Sequence, residues 1–538
     1  MLRNVGRGSF YLTVESLTTL LSGLLYSVVV LRWLGPGWFG ILSLALSVVG
    51  LASVFTGNFE LYLERHAAEY EARGQYRLLL RVHLWALALK AVLGFAAGCA
   101  VYLLVPWIVA QYGFDRLGLL ITLLLALVVF DGFNATARAT LYGLQQFSWI
   151  AALAFFSNAV KMVAVVVLWR IGRGPTSLAL TLSGLAIVSG LLATVIAFAV
   201  TIGRARQLKA ATPELDAAQD VSARALVGDM VRYCTPLLGA RAAFISGQNL
   251  SKVVLGKFFP PEALGLFSFA FQTVERFVGL IFAVPSSLLP SLTQLVARSE
   301  PDRLRRLLDK GFRLVATLGC ALSVCLFVFA EEITRILGGE RYLPAVGILR
   351  VLALVPLVRT AQQPLTMGFY ALRRTGAVLG LAVGKFGIEM GSYFALIPLL
   401  GLAGAAWANL AGAVASFFGA LALTTIVLED GGRHRWAVMA KTGSLVALGI
   451  SVTLLLHAIP WDWRAMFVLK LLIVLPGLFL MVLLLDLVTR DDLARAQAVP
   501  ISVPWMAALR DRAVAFGFAA GSRIGRVRPV VLATAEGH

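Results

Sequence analysis

Long apolar runs, separated by short polar and basic connections, recur from one end of this 538-residue chain to the other. A helix of about 20 apolar residues is long enough to cross the ~30 Å hydrocarbon layer of a bilayer. By this rule the pattern predicts an all-α, polytopic membrane protein with about fourteen transmembrane helices. The predicted spans are 9–32, 38–60, 82–106, 117–142, 147–169, 177–202, 231–256, 262–290, 312–330, 345–371, 376–398, 402–427, 437–459 and 465–487.

The first twelve predicted helices repeat one six-helix pattern twice. Pro36 and Gly40, at the start of the second helix, recur as Pro260 and Gly265. Duplicated halves are a common plan for transporters, with the substrate site between them. An even number of helices per half makes the halves parallel, so we expect two pseudo-symmetric lobes related by an axis along the membrane normal. Three further matches occur in the same order, Ser22-Gly23 with Ser246-Gly247, Val29-Val30-Leu31 with Val253-Val254-Leu255, and Tyr142-Gly143-Leu144 with Tyr370-Ala371-Leu372.

The repeat and the loop charges divide the chain into five segments. Arginine and lysine are concentrated in alternate loops and in the C-terminal tail, and the positive-inside rule therefore places both termini in the cytoplasm. The N-terminal apolar stretch is too long for a signal peptide, and we interpret it as an uncleaved first helix. The predicted segments are an N-terminal lobe at 1–203, a cytoplasmic linker at 204–228, a C-terminal lobe at 229–428, two additional helices within 429–488 and a basic cytoplasmic tail at 489–538.

Composition narrows the class of protein further. The chain is 59% hydrophobic and 14% charged, whereas a soluble protein carries roughly 25% charged residues. Its net charge of +19 comes from basic residues between the spans and in the tail, where they orient the chain, so we expect no nucleic-acid partner. The four cysteines and five histidines are scattered without metal-ligand spacing, so we predict no metal site, no cofactor and no disulfide framework.

Short glycine-rich motifs stand beside the predicted spans. Leu34-Gly35-Pro36 leads into the second helix, Leu337-Gly338-Gly339 precedes the tenth, and Leu400-Gly401-Leu402 enters the twelfth. Basic amphipathic links, 70–74 and 298–303, follow the second helix of each half. In this order and with this doubling, roughly residues 1–490 resemble the polysaccharide (O-antigen and exopolysaccharide) flippases of the multidrug/oligosaccharidyl-lipid/polysaccharide exporter superfamily.

This resemblance implies a fold, a mechanism and a set of partners. The two six-helix lobes would alternate in access, and the two additional C-terminal helices occur in some members of the superfamily. The cargo would be a polyprenyl-pyrophosphate-linked oligosaccharide, moved from the cytoplasmic to the outer leaflet of the bacterial inner membrane for polysaccharide biosynthesis. Membrane lipids and a polysaccharide polymerase or export machinery would be further partners.

The seventh predicted helix is unusually polar for a membrane span. An ionisable group at membrane depth costs several kcal/mol, so its presence needs a reason. We interpret the polar and charged residues of this helix and of the eighth helix as one half of a cationic cavity. Arginine suits a pyrophosphate because its planar fork donates bidentate hydrogen bonds, and side-chain amides suit sugars. The alternative is internal neutralisation, with Glu275 paired to Arg241 and Lys252 extended to the outer surface. The predicted substrate-binding residues are Arg241, Gln248, Asn249, Lys252, Gln272, Arg276, Arg359 and Gln363.

Charges of opposite sign occupy equivalent positions in the two halves. At an offset of 228 residues, Asp131 corresponds to Arg359 and Lys161 to Glu389. These charges could form one salt bridge in each lobe, or act as a gate or as proton-linked carboxylates. Lys385 and Glu389 could also neutralise each other as i,i+4 neighbours. The predicted gating and coupling residues are Asp131, Lys161, Glu275, Lys385 and Glu389.

Further charged residues lie toward the predicted cytoplasmic ends of the helices. We expect Glu60 and Lys90 to be solvated or to pair with basic loops. Glu15 is an exception, since it lies about one turn inside the first helix. Asn134 and Arg138 share a face with Asp131 near the cytoplasmic mouth.

Together these patterns predict a transporter and not an enzyme. No loop is long enough for a catalytic centre with paired carboxylates, and the glycine-rich stretch 401–412 lacks the Gly-Lys-Ser/Thr ending of an ATP site. We predict a lipid-linked oligosaccharide flippase coupled to protons, sodium or the membrane potential. Two alternatives stay open. A lipid II flippase shares the fold, although the first helix here lacks an arginine face. A drug or cation antiporter of the same superfamily would favour an acidic, aromatic cavity.

Overall fold

The computed structural model describes residues 2–72, 75–211, 222–282, 285, 288–429, 432–457, 462–485, 487 and 511. Every regular element in these ranges is a helix, so the all-α prediction is confirmed for them. The predicted tail, apart from Asp511, lies outside the described residues. The α-helices are α1 Leu2–Ala52, α2 Phe59–Ala72, α3 Tyr76–Tyr112, α4 Leu117–Leu124, α5 Ala126–Gly143, α6 Phe147–Arg170, α7 Pro175–Ala211, α8 Ala223–Phe258, α9 Pro261–Ile281, α10 Leu288–Ala297, α11 Pro301–Val328, α12 Ala330–Leu337, α13 Val346–Leu352, α14 Val355–Ala371, α15 Thr375–Leu400, α16 Leu402–Leu428, α17 Arg433–His457 and α18 Trp463–Leu484, with 3-10 helices at Ser53–Thr56 and Glu340–Ala345.

Ten helices in the described part of the chain are long and apolar enough to cross a membrane, or eleven if the bent pair Glu340–Leu352 and Val355–Ala371 forms one span. The chain is therefore a multi-pass membrane protein, as predicted. The count of fourteen is not confirmed and stays a prediction. The predicted seventh and eighth spans, which contain α8 and α9, are not among the ten helices found in the described residues. The eighth was expected to reach residue 290, but α9 ends at Ile281.

Gly35 separates the first two predicted spans inside α1. Its backbone, at φ 70° and ψ 175°, leaves the helical region, and glycine adopts such a conformation without the steric cost of a Cβ. Pro36 follows at once and cannot donate the backbone hydrogen bond that would continue the first arm. The long helix is thus kinked where the sequence predicts a boundary.

The helices form two compact units. The first comprises Met1–Gln272, Thr334–Ala345 and Ala382–Ala408, and the second comprises Thr273–Ile333, Val346–Leu381 and Asn409–His538. In the first unit, α1 packs against α6 and α8, and α5 packs against α3 and α7. In the second unit, α11 packs against α14 and α17. The lobe boundaries expected from the repeat stay a prediction.

Inside the first unit, α1 packs closely against α9 at two repeated glycines, Gly40 and Gly265. Each glycine lies against the backbone of the other helix. A Cβ at Gly40 would lie 2.0 Å from the Pro261 carbonyl oxygen, and a Cβ at Gly265 would lie 1.9 Å from the Pro36 carbonyl oxygen. Gly40 corresponds to Gly265 in the repeat, and Pro36 and Pro261 each lie four residues before one of these glycines. Reciprocal contacts of this kind arise when equivalent segments are related by a two-fold axis. The doubled sequence motif is therefore also a packing motif.

Replacing Gly265 by alanine is expected to destabilise the protein. The new methyl group would collide with backbone that must shift, and overpacking of this kind costs about 1–3 kcal/mol. Gly279 lies on the same helix with no atom within 4 Å of its Cβ position, so Gly279→Ala should be neutral or slightly stabilising through helix propensity. Thermal unfolding of the purified variants in detergent measures both effects. Equal melting temperatures for the two variants would contradict the packing argument.

Candidate functional site

Three charged side chains from α2, α3 and α8 meet in the first unit. Lys90 Nζ lies 2.6 Å from Glu60 Oε1 and donates a second hydrogen bond to the Gly57 carbonyl at 3.0 Å. Arg241 Nη1 lies 3.5 Å from Glu60 Oε2 and donates to Asn58 Oδ1. Gly57, at a φ of 78°, turns the chain just before α2, and Glu60 lies in the first turn of that helix. We name Glu60, Lys90, Arg241 and Asn58 the Glu60 cluster.

The Glu60 cluster holds two cations on one carboxylate. The side chain of Lys90 is 1% exposed and that of Glu60 is 11% exposed, whereas Arg241 retains 29% exposure. Burying Lys90 and Glu60 is tolerable because each compensates the charge of the other. The formal charge that remains is +1, and its accessible member is Arg241. The cluster can therefore present one guanidinium to an anionic ligand.

The expectation that Glu60 and Lys90 are solvated or pair with basic loops is wrong. Glu60 is the last residue of its predicted span, but α2 packs against α3 and α5 and buries the carboxylate. Its partner stands thirty positions away, and no local pattern links the two. Arg241 contacts Glu60 within the first unit, and the alternative pairing of Arg241 with Glu275 stays a prediction.

A tyrosine hydroxyl lies half a turn beyond the carboxylate of the Glu60 cluster along α2. Tyr62 donates a hydrogen bond of 2.9 Å to Asp229 Oδ2, and its ring stacks on His66 at a centroid distance of 3.9 Å. Burial, reinforced by hydrogen bonds to Tyr70 and Asp229, raises the pKa of the Tyr62 hydroxyl above its ordinary value. Tyr62 therefore stays a neutral donor and fixes α2 to α8.

Three of the predicted substrate-binding residues lie in helix packing contacts. Asn249 abuts α1 at Gly50, where a Cβ would lie 3.0 Å from its Oδ1. The Lys252 ammonium is buried, 5.4 Å from the centroid of the Phe271 ring. Gln272 Nε2 lies 3.4 Å from the Ser43 hydroxyl. The structure thus places these side chains where α8 and α9 approach their neighbours.

Two predicted gating residues, Lys385 and Glu389, lie on α15 near the middle of α8. Lys385 Nζ lies 2.7 Å from Glu389 Oε2, and Tyr393 donates to Glu389 Oε1 at 3.2 Å. A Cβ at Gly247 would lie 3.8 Å from Lys385 Nζ, so the ammonium approaches α8 beside Gln248, which is partly buried. The i,i+4 interpretation of Lys385 and Glu389 is confirmed, and Glu389 is fully buried.

The second unit contains a separate ion pair. Arg359 donates to Glu275, and its guanidinium lies 5.4 Å from the centroid of the Phe282 ring. The sequence offered Glu389 as one possible partner of Arg359 and Arg241 as one possible partner of Glu275, and these two pairings stay predictions. Sequence reasoning missed the Arg359–Glu275 pair because α9 and α14 are far apart along the chain. Arg276 and Gln363 are partly buried in this unit.

Asp131 and Lys161 lie near each other in the first unit, and the salt bridge predicted between them stays a prediction. The two charges interact electrostatically between α5 and α6. Lys161 Nζ also lies 4.3 Å from the centroid of the Tyr26 ring on α1, at the distance of a cation–π contact. Among the residues that the structure describes, no group of three or more His, Cys, Asp or Glu side chains could hold a metal ion.

Comparison with known sequences points to one group of proteins. The family model described as polysaccharide biosynthesis protein matches residues 5–296, and a second model, MatE, matches residues 236–392. The curated stage V sporulation protein B of Bacillus subtilis (strain 168) is 22% identical over 428 residues, which cover 76% of this chain and 81% of that protein.

Solved structures share the fold at low sequence identity. The lipid II flippase MurJ, in an inward closed conformation, superposes with a TM-score of 0.62 at 11% identity and covers 90% of this chain and 99% of its own. An inward-facing multidrug resistance transporter of the MATE family superposes with a TM-score of 0.59 at 13% identity and covers 78% of this chain and 98% of its own. Both neighbours are membrane transport proteins and not enzymes, in agreement with the prediction from sequence.

Proposed function

Because this chain belongs to the polysaccharide biosynthesis protein family, we propose that it moves a polyprenyl-pyrophosphate-linked oligosaccharide from the cytoplasmic to the outer leaflet of the bacterial inner membrane. The chain is a multi-pass transport protein of the multidrug/oligosaccharidyl-lipid/polysaccharide exporter superfamily. The proposal adds the cargo, the membrane, cytoplasmic termini, and alternating access as the means of transport. An anionic cargo moving outward across an inside-negative membrane is favoured by the potential.

The observation that carries the proposal is the uncompensated charge of the Glu60 cluster. Glu60 neutralises Lys90, and Arg241 shares the same carboxylate at the longer distance of 3.5 Å. A guanidinium has five N–H donors in a planar fork, so Arg241 can hold Asn58 and still offer donors to a pyrophosphate. Arg241 is therefore the leading phosphate ligand in this proposal.

The other site residues take narrower roles in the same proposal. Arg276, Gln248 and Gln363 are partly buried side chains that we assign to substrate contact. Arg359 and Lys385 are already neutralised by carboxylates, so we assign them, with their partners Glu275 and Glu389, to gating. The electrostatic pair Asp131 and Lys161 is assigned to the same task.

Transport in liposomes tests the proposal. Wild-type protein should flip a polyprenyl-pyrophosphate oligosaccharide, and Arg241→Ala should lower the initial rate by roughly tenfold or more, since a hydrogen bond to a charged group contributes about 1.5–3 kcal/mol. Arg241→Lys should retain part of the rate, because it keeps the charge and loses the fork. Arg173→Ala, at an exposed position, is the matched control and should transport normally.

The same liposomes distinguish the alternatives. Transport of lipid II without transport of the oligosaccharide would replace this proposal by a wall-precursor flippase. Efflux of a cationic dye, with no movement of either lipid, would replace it by an antiporter. Equal rates for wild type and Arg241→Ala on the oligosaccharide would keep the cargo and remove Arg241 from its binding site.

A further inference from the structure

A polar pocket lies within the first unit, among α1, α5, α6 and α7. Its volume is about 150 Å³. It shares no residue with the Glu60 cluster. The polar side chains that line it are Thr19, Asn134, Arg138, Ser157, Asn158 and Ser189.

The positive charge of Arg138 in this pocket is compensated by a carboxylate beside the pocket. Arg138 donates a hydrogen bond to the carboxylate of Glu15 on α1. The pocket residue Thr19 lies one turn further along the same helix. Asn158 Nδ2 lies 3.3 Å from the Thr19 hydroxyl, which ties α6 to α1 across the pocket. Arg138 keeps a side-chain exposure of 39%, so guanidinium donors remain beyond the one that Glu15 accepts. The pocket is rich in hydrogen-bonding groups but carries little net charge.

Polar groups inside a membrane bundle need hydrogen-bonding partners, because lipid supplies none. Here the hydroxyls and side-chain amides both donate and accept hydrogen bonds, and one neutralised guanidinium donates them. The remaining wall is apolar and includes Leu153, Phe156 and Leu192. A ligand that matches both the polar lining and the apolar wall has several hydroxyl groups around its edge and C–H groups on its faces, as a pyranose does. A pyrophosphate does not match, because no net positive charge awaits it.

We propose that this pocket binds one sugar residue of the lipid-linked cargo. The inference rests on the proposed function and divides recognition between two places, with the carrier phosphates at Arg241 and a sugar ring among Asn134, Asn158 and Arg138. Asn134 and Asn158 donate to and accept from ring hydroxyls, and Arg138 donates to hydroxyl or carboxylate oxygens of the sugar. The pocket would then select among glycans while the Glu60 cluster recognises the carrier that all of them share.

Native mass spectrometry of the full-length protein tests this division. The probe is the polyprenyl-pyrophosphate lipid fraction extracted from cells that make the protein, supplemented with bare undecaprenyl pyrophosphate. Glycosylated and bare lipids differ in mass, so both are counted on the same protein. The wild type should bind both and favour the glycosylated form. Asn158→Leu and Asn134→Leu should each lower the ratio of glycosylated to bare lipid about tenfold, the loss expected from one or two hydrogen bonds.

Bare-lipid binding serves as the folding control for each variant, and Ser189→Ala provides a milder change of the same pocket. Thr181→Val, on α7 but outside the pocket lining, is the matched control and should keep the wild-type ratio. An unchanged ratio in all three pocket variants would overturn the sugar site. Wild-type binding of bare carrier with no preference for glycosylated lipid would overturn it too, while the carrier site of the proposed function survives. If the wild type binds neither lipid, the proposed function fails and this inference falls with it.

Discussion

Replacing Lys90 by methionine is expected to lower the stability of this protein by about 3–5 kcal/mol, because breaking a buried ion pair leaves an uncompensated charge. Methionine keeps most of the length and volume of lysine, so little of the loss would come from a cavity. Glu60 would remain buried, with Arg241 at 3.5 Å as the cation left to it. The Gly57 carbonyl would also lose the hydrogen bond that Lys90 donates. The free energy of unfolding, measured by denaturant titration in mixed micelles, gives the effect.

The double variant Lys90→Met, Glu60→Gln separates charge from shape. Removing both charges should restore most of the stability, since well-packed neutral replacements of a buried pair are often neutral. The same double variant leaves Arg241 without its carboxylate and should tighten binding of bare undecaprenyl pyrophosphate. A double variant as unstable as Lys90→Met alone would contradict the charge argument and assign the loss to packing.

A comparable loss, about 3–5 kcal/mol, is expected when Lys470 is replaced by methionine in the second unit. Lys470 Nζ lies 2.7 Å from Glu332 Oε1 and 3.2 Å from the Val328 carbonyl. The exposed fractions of the Lys470 and Glu332 side chains are 4% and 2%. The pair joins α18, the last described helix, to α11 and α12. Its loss should therefore also release the C-terminal helices to limited proteolysis at lower denaturant.

The matched control for this second pair lies at the exposed end of α18. Arg464→Met, beside the helix start, removes a basic residue that is exposed and should change stability by less than about 0.5 kcal/mol. Lys470→Met, Glu332→Gln should recover most of the loss. If Lys470→Met melts as the wild type does, the additional helices are held by apolar packing alone, and the ion pair is incidental.

Local residue types predicted much of the fold. The apolar runs located α3, α6, α7 and α15 to α18, because a span depends mainly on hydropathy along one stretch of chain. The Gly35-Pro36 kink was also readable, since glycine permits a non-helical backbone and proline cannot donate a helical hydrogen bond. The helix α2 was missed as a separate element. Its sequence is polar, and only its packing against α3 and α5 gives it a buried face.

The candidate site was predictable only in part. The sequence marked Arg241, Lys385 and Glu389 as unusual charges, because an ionisable residue within an apolar run stands out. It gave the right partner for Lys385, which is four residues from Glu389 on one helix. It did not indicate the Arg359–Glu275 pair, and it took Glu60 and Lys90 for groups that are solvated or paired with basic loops.

The sequence by itself determined the membrane class, the positions of most helices and the doubled motif, since these follow from hydropathy, residue type and repetition along the chain. The reciprocal contact of Gly40 and Gly265, the carboxylate shared by Lys90 and Arg241, and the polar pocket around Asn134 and Asn158 were decided only by the tertiary structure. Each depends on which helices are neighbours and on their rotation about their axes. The free energy that sets those choices comes from packing and charge pairing between distant segments, and no short stretch of sequence contains it.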